Sequence, residues 1–362
     1  MTEYVRYSDS VETPLPDEHE VFDKIVQAMT RETDTVTARE HHAVRASHAK
    51  STGLLKGELR VLDGLPPELA QGLFAQPATY PAAVRFAQGP GEHLSDSVST
   101  HRGMAVKLFG VEGPALPGHE GHQTQDFVFA TGAAFPQANA ASFLMANKGL
   151  EKSTPAPEVL KQAASTMSRV ANSVMRAFGG DSANLAFFGH TKRNPLADAY
   201  FSQAALRYGD YVCKMGFFPV SPHLVAIVDE TLDTSSDPDA FRTAVVATMR
   251  DHAAEFELRV QLCTDLEDMP VEDTSVAWPE DESNYVAVAR LTLPAQDAHS
   301  PARAAYYNDV LAFRPAHSLQ AHRPLGSLMR ARLKTYGALS EYRHGRNGTP
   351  EVEPASITDL PD

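Results

Sequence analysis

The chain has 362 residues, 43% of them apolar and 22% charged, long enough to bury a large core in one or two domains. Its net charge of −14 argues against nucleic acid and against an anionic membrane as partners. No basic region followed by an apolar run opens the sequence, and no stretch approaches the roughly 20 apolar residues of a membrane span. With two cysteines, Cys213 and Cys263, and no CxxC motif, two buried thiols in a reducing cytoplasm are expected.

Residues 1–15 are polar and expected to be flexible. Over 17–30, Val21, Ile25, Val26 and Met29 recur at helical spacing and predict a short amphipathic helix. Residues 53–63 read as a strand, with Gly64-Leu-Pro-Pro as a turn. Short runs over 82–87, 103–109 and 126–130, rich in Val, Phe and Ala and separated by glycine-bearing turns, suggest successive antiparallel barrel strands. Residues 139–150 and 156–178 read as helices. The second carries Val159, Ala163, Met167, Val170, Val174 and Phe178 on one apolar face, with Gly179-Gly180 as its stop.

Strands are expected again over 208–220, continuing through 224–228. A helix opens at Ser236, capped by Asp237-Pro238-Asp239, with Phe241, Val245, Met249 and Ala253 as its stripe. Residues 256–263 and 286–293 predict two further strands. A short helix follows over 325–336, with Leu325, Leu328, Met329 and Leu333 recurring at 3 and 4 and Gly337 as its stop. Residues 348–362 are acidic and Pro-containing, a loose tail. The expected organisation is one α+β domain over 16–347, an antiparallel barrel with helices outside, between a flexible start and an acidic tail.

On the 325–336 helix, Arg332 and Tyr336 are an i, i+4 pair, so the guanidinium reaches the phenol oxygen. A cation there favours the phenolate, and tyrosinate is an axial ligand of ferric haem. Far upstream lies Arg45-Ala-Ser-His48-Ala-Lys50. This stretch closely resembles the Arg-x-x-His-Ala-Lys of catalases. Between these ends, Val84-Arg85-Phe86 and Arg102-Gly-Met-Ala-Val-Lys107-Leu are similar to that family's Val-Arg-Phe and Arg-Gly-Phe-Ala-Leu-Lys-Phe. Val276-Ala-Trp278-Pro279, Leu311-Ala-Phe313-Arg-Pro315 and Tyr342-Arg343-His-Gly-Arg-Asn347 resemble further catalase motifs in the same order.

The resemblance implies a catalase-type barrel binding haem b, held without thioether links since no CxxCH occurs. Tyr336 would be its metal ligand and His48 the distal acid–base group, an imidazole able to take and return a proton. Arg45, Arg85 and Arg343 match the positions that pair with haem propionates, and Arg332 the tuning partner of the tyrosine. Phe86, Phe127, Phe129 and Phe135 are candidates for the pocket wall.

Two departures separate the chain from catalases. Ser47 stands where they have valine, a position at which the related allene oxide synthases have threonine. The distal asparagine is missing from Gln123-Thr124-Gln125-Asp126-Phe127-Val128-Phe129, where Thr124 or Gln123 falls nearest. The expected activity is a haem peroxidase using organic hydroperoxides or hydrogen peroxide to oxidise small electron donors, with weak catalase activity. The alternatives are a true catalase and a fatty-acid hydroperoxide isomerase. Because only a short segment precedes His48, a monomer or homodimer is expected.

Overall fold

The computed structural model describes residues 3–177 and 182–362. The strands are β1 (Ser51–Val61), β2 (Thr79–Gln88), β3 (Arg102–Phe109), β4 (Thr124–Thr131), β5 (Tyr200–Phe201), β6 (Leu206–Tyr208), β7 (Tyr211–Pro219), β8 (Ala254–Leu262) and β9 (Val286–Leu293). All pairings between them are antiparallel. β1 to β4 form a meander, β5 joins β4 to β7, and β7, β8 and β9 lead back to β1. Eight strands therefore close into a barrel, with β6 laid beside β7 as a hairpin.

Period-two patterning decides which side chains fill the barrel. Val84 and Phe86 of β2, Met104, Val106 and Leu108 of β3, and Phe127 and Phe129 of β4 point inward. There they meet Met215 and Phe217 of β7, Phe256 and Leu258 of β8 and Leu291 of β9 in one core. The intervening residues Arg85, Ala87, Ala105, Lys107, Asp126 and Val128 then face outward. The β1–β9 seam is held by few partners, Glu58↔Thr292 to Val61↔Ala289. At its edge a β-carbon on Gly57 would lie 2.4 Å from the Thr292 carbonyl oxygen, so closure requires glycine there.

Among the described residues the helices are α1 (Glu18–Glu40), α2 (Ala140–Ser153), α3 (Glu158–Ala177), α4 (Ala183–Phe188), α5 (Pro222–Ala226), α6 (Ala240–Asp251), α7 (Pro301–Ala305) and α8 (Ser327–Asn347). α7 runs into a single π-helical turn, Tyr306–Val310. No described helix is long and apolar enough to cross a membrane. Cys213 and Cys263 are buried free thiols, as expected.

Several expectations are corrected. α1 continues to Glu40 and stops where His41 turns left-handed, at φ 58°. Residues 224–228 are no strand: Ser221-Pro222 opens α5, because proline preset at the first helical position favours the turn. Gly337 does not end the last helix. It lies on an open face of α8, which runs on until Gly348 adopts φ 64°. The apolar stripe of α3 faces solvent, Val159 and Met167 each 73% exposed, while Ser165 and Asn172 are buried. Phe178, Gly179 and Gly180 lie outside the described residues.

The described residues near both termini make contacts with the body of the fold. Val5 pairs with Cys263, and Glu12, buried, accepts from Arg323 at 2.8 Å and from Arg330 at 2.5 Å. In the tail, Glu353 meets buried Lys107 at 2.5 Å, and Leu360 is buried beside Tyr307 and Phe313. Charge pairing by these acidic residues, which composition alone marks as solvating, is what fixes them.

Candidate active site

A cavity of about 720 Å³ lies against the outer face of β2, β3 and β4. Its wall includes Arg45, Ser47, His48, Arg85, Phe129, Arg332, Tyr336 and Arg343, together with residues of α2, α3 and α4. Of the sequence-derived candidates, all but Gln123, Thr124, Phe86 and Phe127 thus meet in one place.

His48 sits at φ 56°, a left-handed conformation uncommon outside glycine. Its backbone N–H donates to the Gly89 carbonyl at 2.8 Å, and ring Nδ1 lies 3.0 Å from the Gln88 carbonyl. A carbonyl only accepts, so Nδ1 carries the proton and Nε2 keeps its lone pair. Burial, then the positive charges of Arg85, Arg332 and Arg45, push the imidazole down to about 3. At neutral pH His48 is an uncharged base. His101 meets it edge-on, centroids 5.4 Å apart, and itself stacks on Phe187 at 3.7 Å.

Arg332 donates to the Tyr336 hydroxyl oxygen at 2.8 Å, one helical turn away on α8. Leu328, Arg332, Tyr336, Leu339 and Arg343 recur at 3 and 4 along that helix and all line the cavity. The continuation of α8 past Gly337 therefore puts Arg343 on the face that carries Tyr336.

Arg45, Arg85 and Arg343 are held mainly by neutral acceptors. Arg45 donates to the Asn308 carbonyl at 3.0 Å and the Leu311 carbonyl at 2.7 Å, at the end of the π-helical turn. Arg85 donates to the His48 carbonyl at 2.7 Å and the Ala49 carbonyl at 3.1 Å. Arg343 contacts His344 Nε2 at 3.0 Å. The Nε atoms of Arg85 and Arg343 are buried without a partner. Burial followed by repulsion from Arg343 pushes Arg85 down to about 9; burial pushes Arg343 down to about 10. Arg45 is lowered strongly by burial, then by Arg85 and Arg343. Three guanidinium groups without a carboxylate in ion-pair contact, among the described residues, make a site that calls for anionic groups. A haem, with two carboxylates on an apolar ring, fits that demand.

Other placements differ from the sequence reading. Thr124 lies at the far end of β4 and gives its hydroxyl to Glu353 at 2.8 Å, outside the cavity. Phe86 and Phe127 belong to the barrel core. Phe129 packs edge-on against Phe217 inside the barrel while bordering the cavity, and Phe135 lines it. Lys50 is an anchor, bonding Asp96 at 2.7 Å and the Leu94 carbonyl at 2.8 Å. The sequence reading missed His101, Phe143 and Phe187. The first adjoins the Arg102-Gly motif, and that adjacency was the available signal. The two phenylalanines come from α2 and α4, and only tertiary packing brings them in.

No protein-family model matches the sequence, and no curated protein matches it. Solved structures do match. A fungal catalase has a TM-score of 0.59 at 16% identity, covering 91% of this chain and 66% of its own. Catalase A from Saccharomyces cerevisiae has a TM-score of 0.57 at 14% identity, covering 86% of this chain and 63% of its own. The chain therefore spans slightly less than two thirds of the length of each. Its fold is that of the catalases: a closed eight-stranded antiparallel barrel with helices packed outside.

Proposed function

We propose that this protein is a haem-dependent oxidoreductase that consumes peroxides, acting as a peroxidase toward small electron donors with weak catalase activity. One observation carries the reading. A neutral histidine with a fixed tautomer shares a cavity with an arginine-bonded tyrosine and three arginines that have no carboxylate in ion-pair contact among the described residues.

Tyr336 would ligate the haem iron, and Arg45, Arg85 and Arg343 would take its propionates. When bound, the haem supplies the redox chemistry that splits the peroxide O–O bond. The chain contributes proton movement and positioning. Nε2 of His48 takes the proton from the hydroperoxide oxygen and returns it to the oxygen that leaves. The Gln88 carbonyl keeps Nδ1 protonated so that Nε2 stays available. Arg332 N–H donates to the Tyr336 oxygen, a bond that strengthens as that oxygen becomes anionic. The apolar wall, with Phe135, Phe143, Phe187 and Leu160, suits a bulky organic hydroperoxide.

The test is steady-state turnover of haem-loaded protein with cumene hydroperoxide and with hydrogen peroxide, following donor oxidation and oxygen release separately. Donor oxidation should dominate with both. Oxygen release outpacing it with hydrogen peroxide would make the protein a catalase, and failure to bind haem would refute the reading altogether.

A further inference from the structure

Outside the cavity, His119 and His122 of the β3–β4 loop converge on His317. One ring nitrogen from each lies within 4.8 Å of the other two, and the ring centroids are 4.9 to 5.7 Å apart. We propose that these three histidines bind a divalent transition-metal ion of the zinc class. The site is independent of the haem reading.

Proximity of imidazoles is by itself weak evidence, but two further observations support it. His317 Nδ1 lies 3.3 Å from Glu353 Oε2 and 3.4 Å from Asp126 Oδ2. A carboxylate on Nδ1–H fixes the tautomer and leaves the Nε2 lone pair free, the support that metal-ligating histidines characteristically have. His122 Nδ1, moreover, is buried with no hydrogen-bond partner. An orphan buried ring nitrogen is costly, and coordination to a metal would satisfy it.

The local charge also suits a cation. Lys107 Nζ lies 3.4 Å from His317 Nδ1 and opposes one, but Asp126 and Glu353 both pair with that ammonium. Two carboxylates against one ammonium leave the surroundings of His317 net negative. Arg314 and Glu120 act on His119 with opposite sign. The donor set selects the ion: three imidazoles and no thiolate suit Zn²⁺, Cu²⁺, Ni²⁺ or Co²⁺ rather than Mg²⁺ or Ca²⁺. Three protein ligands leave a fourth position for water. His122 N–H donates to the His119 carbonyl, so the spacing His119-Glu-Gly-His122 is a tight turn. The rings of His119 and His122 are partly exposed, giving the ion a way in.

A bound ion would tie together parts of the chain far apart in sequence: the β3–β4 loop, the segment after Phe313, and Glu353 of the tail. Asp126 also accepts the Arg314 backbone N–H at 2.8 Å, and Arg314 borders the cavity.

The test uses the full chain, stripped with a chelator, then titrated with Zn²⁺ by calorimetry and with Co²⁺ by visible absorption. One saturable equivalent is expected, Co²⁺ giving the intense d–d bands of tetrahedral coordination. His119→Ala and His122→Ala should each abolish the bands with the circular dichroism unchanged. Glu353→Gln should weaken binding by about 10–100-fold. Absence of a saturable equivalent, or unchanged binding in the His119→Ala/His122→Ala double variant, overturns the proposal. The loop variants carry the test even if His317→Ala fails to fold.

Discussion

Gly103 and His48 lie so close that a β-carbon built on the glycine would sit 2.6 Å from Nδ1 of the imidazole. Only a residue without a side chain lets β3 support the ring while the Gln88 carbonyl holds its proton. Gly103→Ala should therefore push the ring off that carbonyl and lower peroxide turnover while haem content is retained. His48→Gln should lower it further, by about 10²–10⁴-fold, the usual contribution of a general acid–base group. Wild-type turnover in haem-loaded His48→Gln would remove the histidine from the mechanism.

Tyr336→Phe should lose haem or change its absorption spectrum, and Arg332→Met should change the spectrum while retaining the cofactor. Absorption spectra and haem content after gel filtration decide this. An unaltered spectrum in Tyr336→Phe would exclude the tyrosine as ligand.

Ser47 borders the cavity next to His48. Ser47→Val removes a hydroxyl near the base without touching the base itself. Oxygen release from hydrogen peroxide should rise relative to donor oxidation. An unchanged ratio would make Ser47 a bystander.

Lys107 and Asp126 are both fully buried and pair at 2.8 Å across β3 and β4. Lys107→Met strands the carboxylate in a low-dielectric site, and losses of about 3–5 kcal/mol are typical of such a change. Urea denaturation should show it. Lys107→Met combined with Asp126→Leu should recover part of the loss, because the fully buried carboxylate is then gone and Glu353, the other partner of Lys107, keeps His317.

His322 accepts the Leu73 backbone N–H at Nε2, 2.9 Å away, and burial pushes it down to about 3. The unfolded chain binds its proton near the ordinary histidine value of about 6.5. The folded pKa is depressed, so the contribution is complete above about 6.5 and is lost as pH falls from there towards 3. His48 behaves in the same sense. Melting temperatures should fall between pH 7 and pH 4, and His322→Gln should flatten that slope.

Much of the barrel was legible because runs over 82–87, 103–109 and 126–130, rich in Val, Phe and Ala and separated by glycine-bearing turns, have the composition of strands with a face to bury. The candidate site was legible because its motif residues resemble those of catalases. What escaped was set by contacts between distant segments. Nothing local to 224–228 says that Ser221-Pro222 starts a helix. The stripe of α3 is amphipathic by any local measure, yet its small and polar side faces the cavity, since Ala164, Ser165 and Ser168 leave room there. Glu12 and Glu353 look like solvated acids until Arg330 and Lys107 are found waiting for them.

The barrel closes only when β9 reaches β1, pairing residue 292 with residue 58. Such distant pairing makes folding slow, because loop closure precedes any reward. At synthesis rates of about 5–20 residues per second, the interval between His48 and Tyr336 emerging from a ribosome is roughly 15–60 s. For that time the nascent chain holds a base and a half-built wall, with neither Tyr336 nor Arg343 made. Were the cavity to hold the proposed haem, its capture would wait until α8 had been made and the barrel had closed.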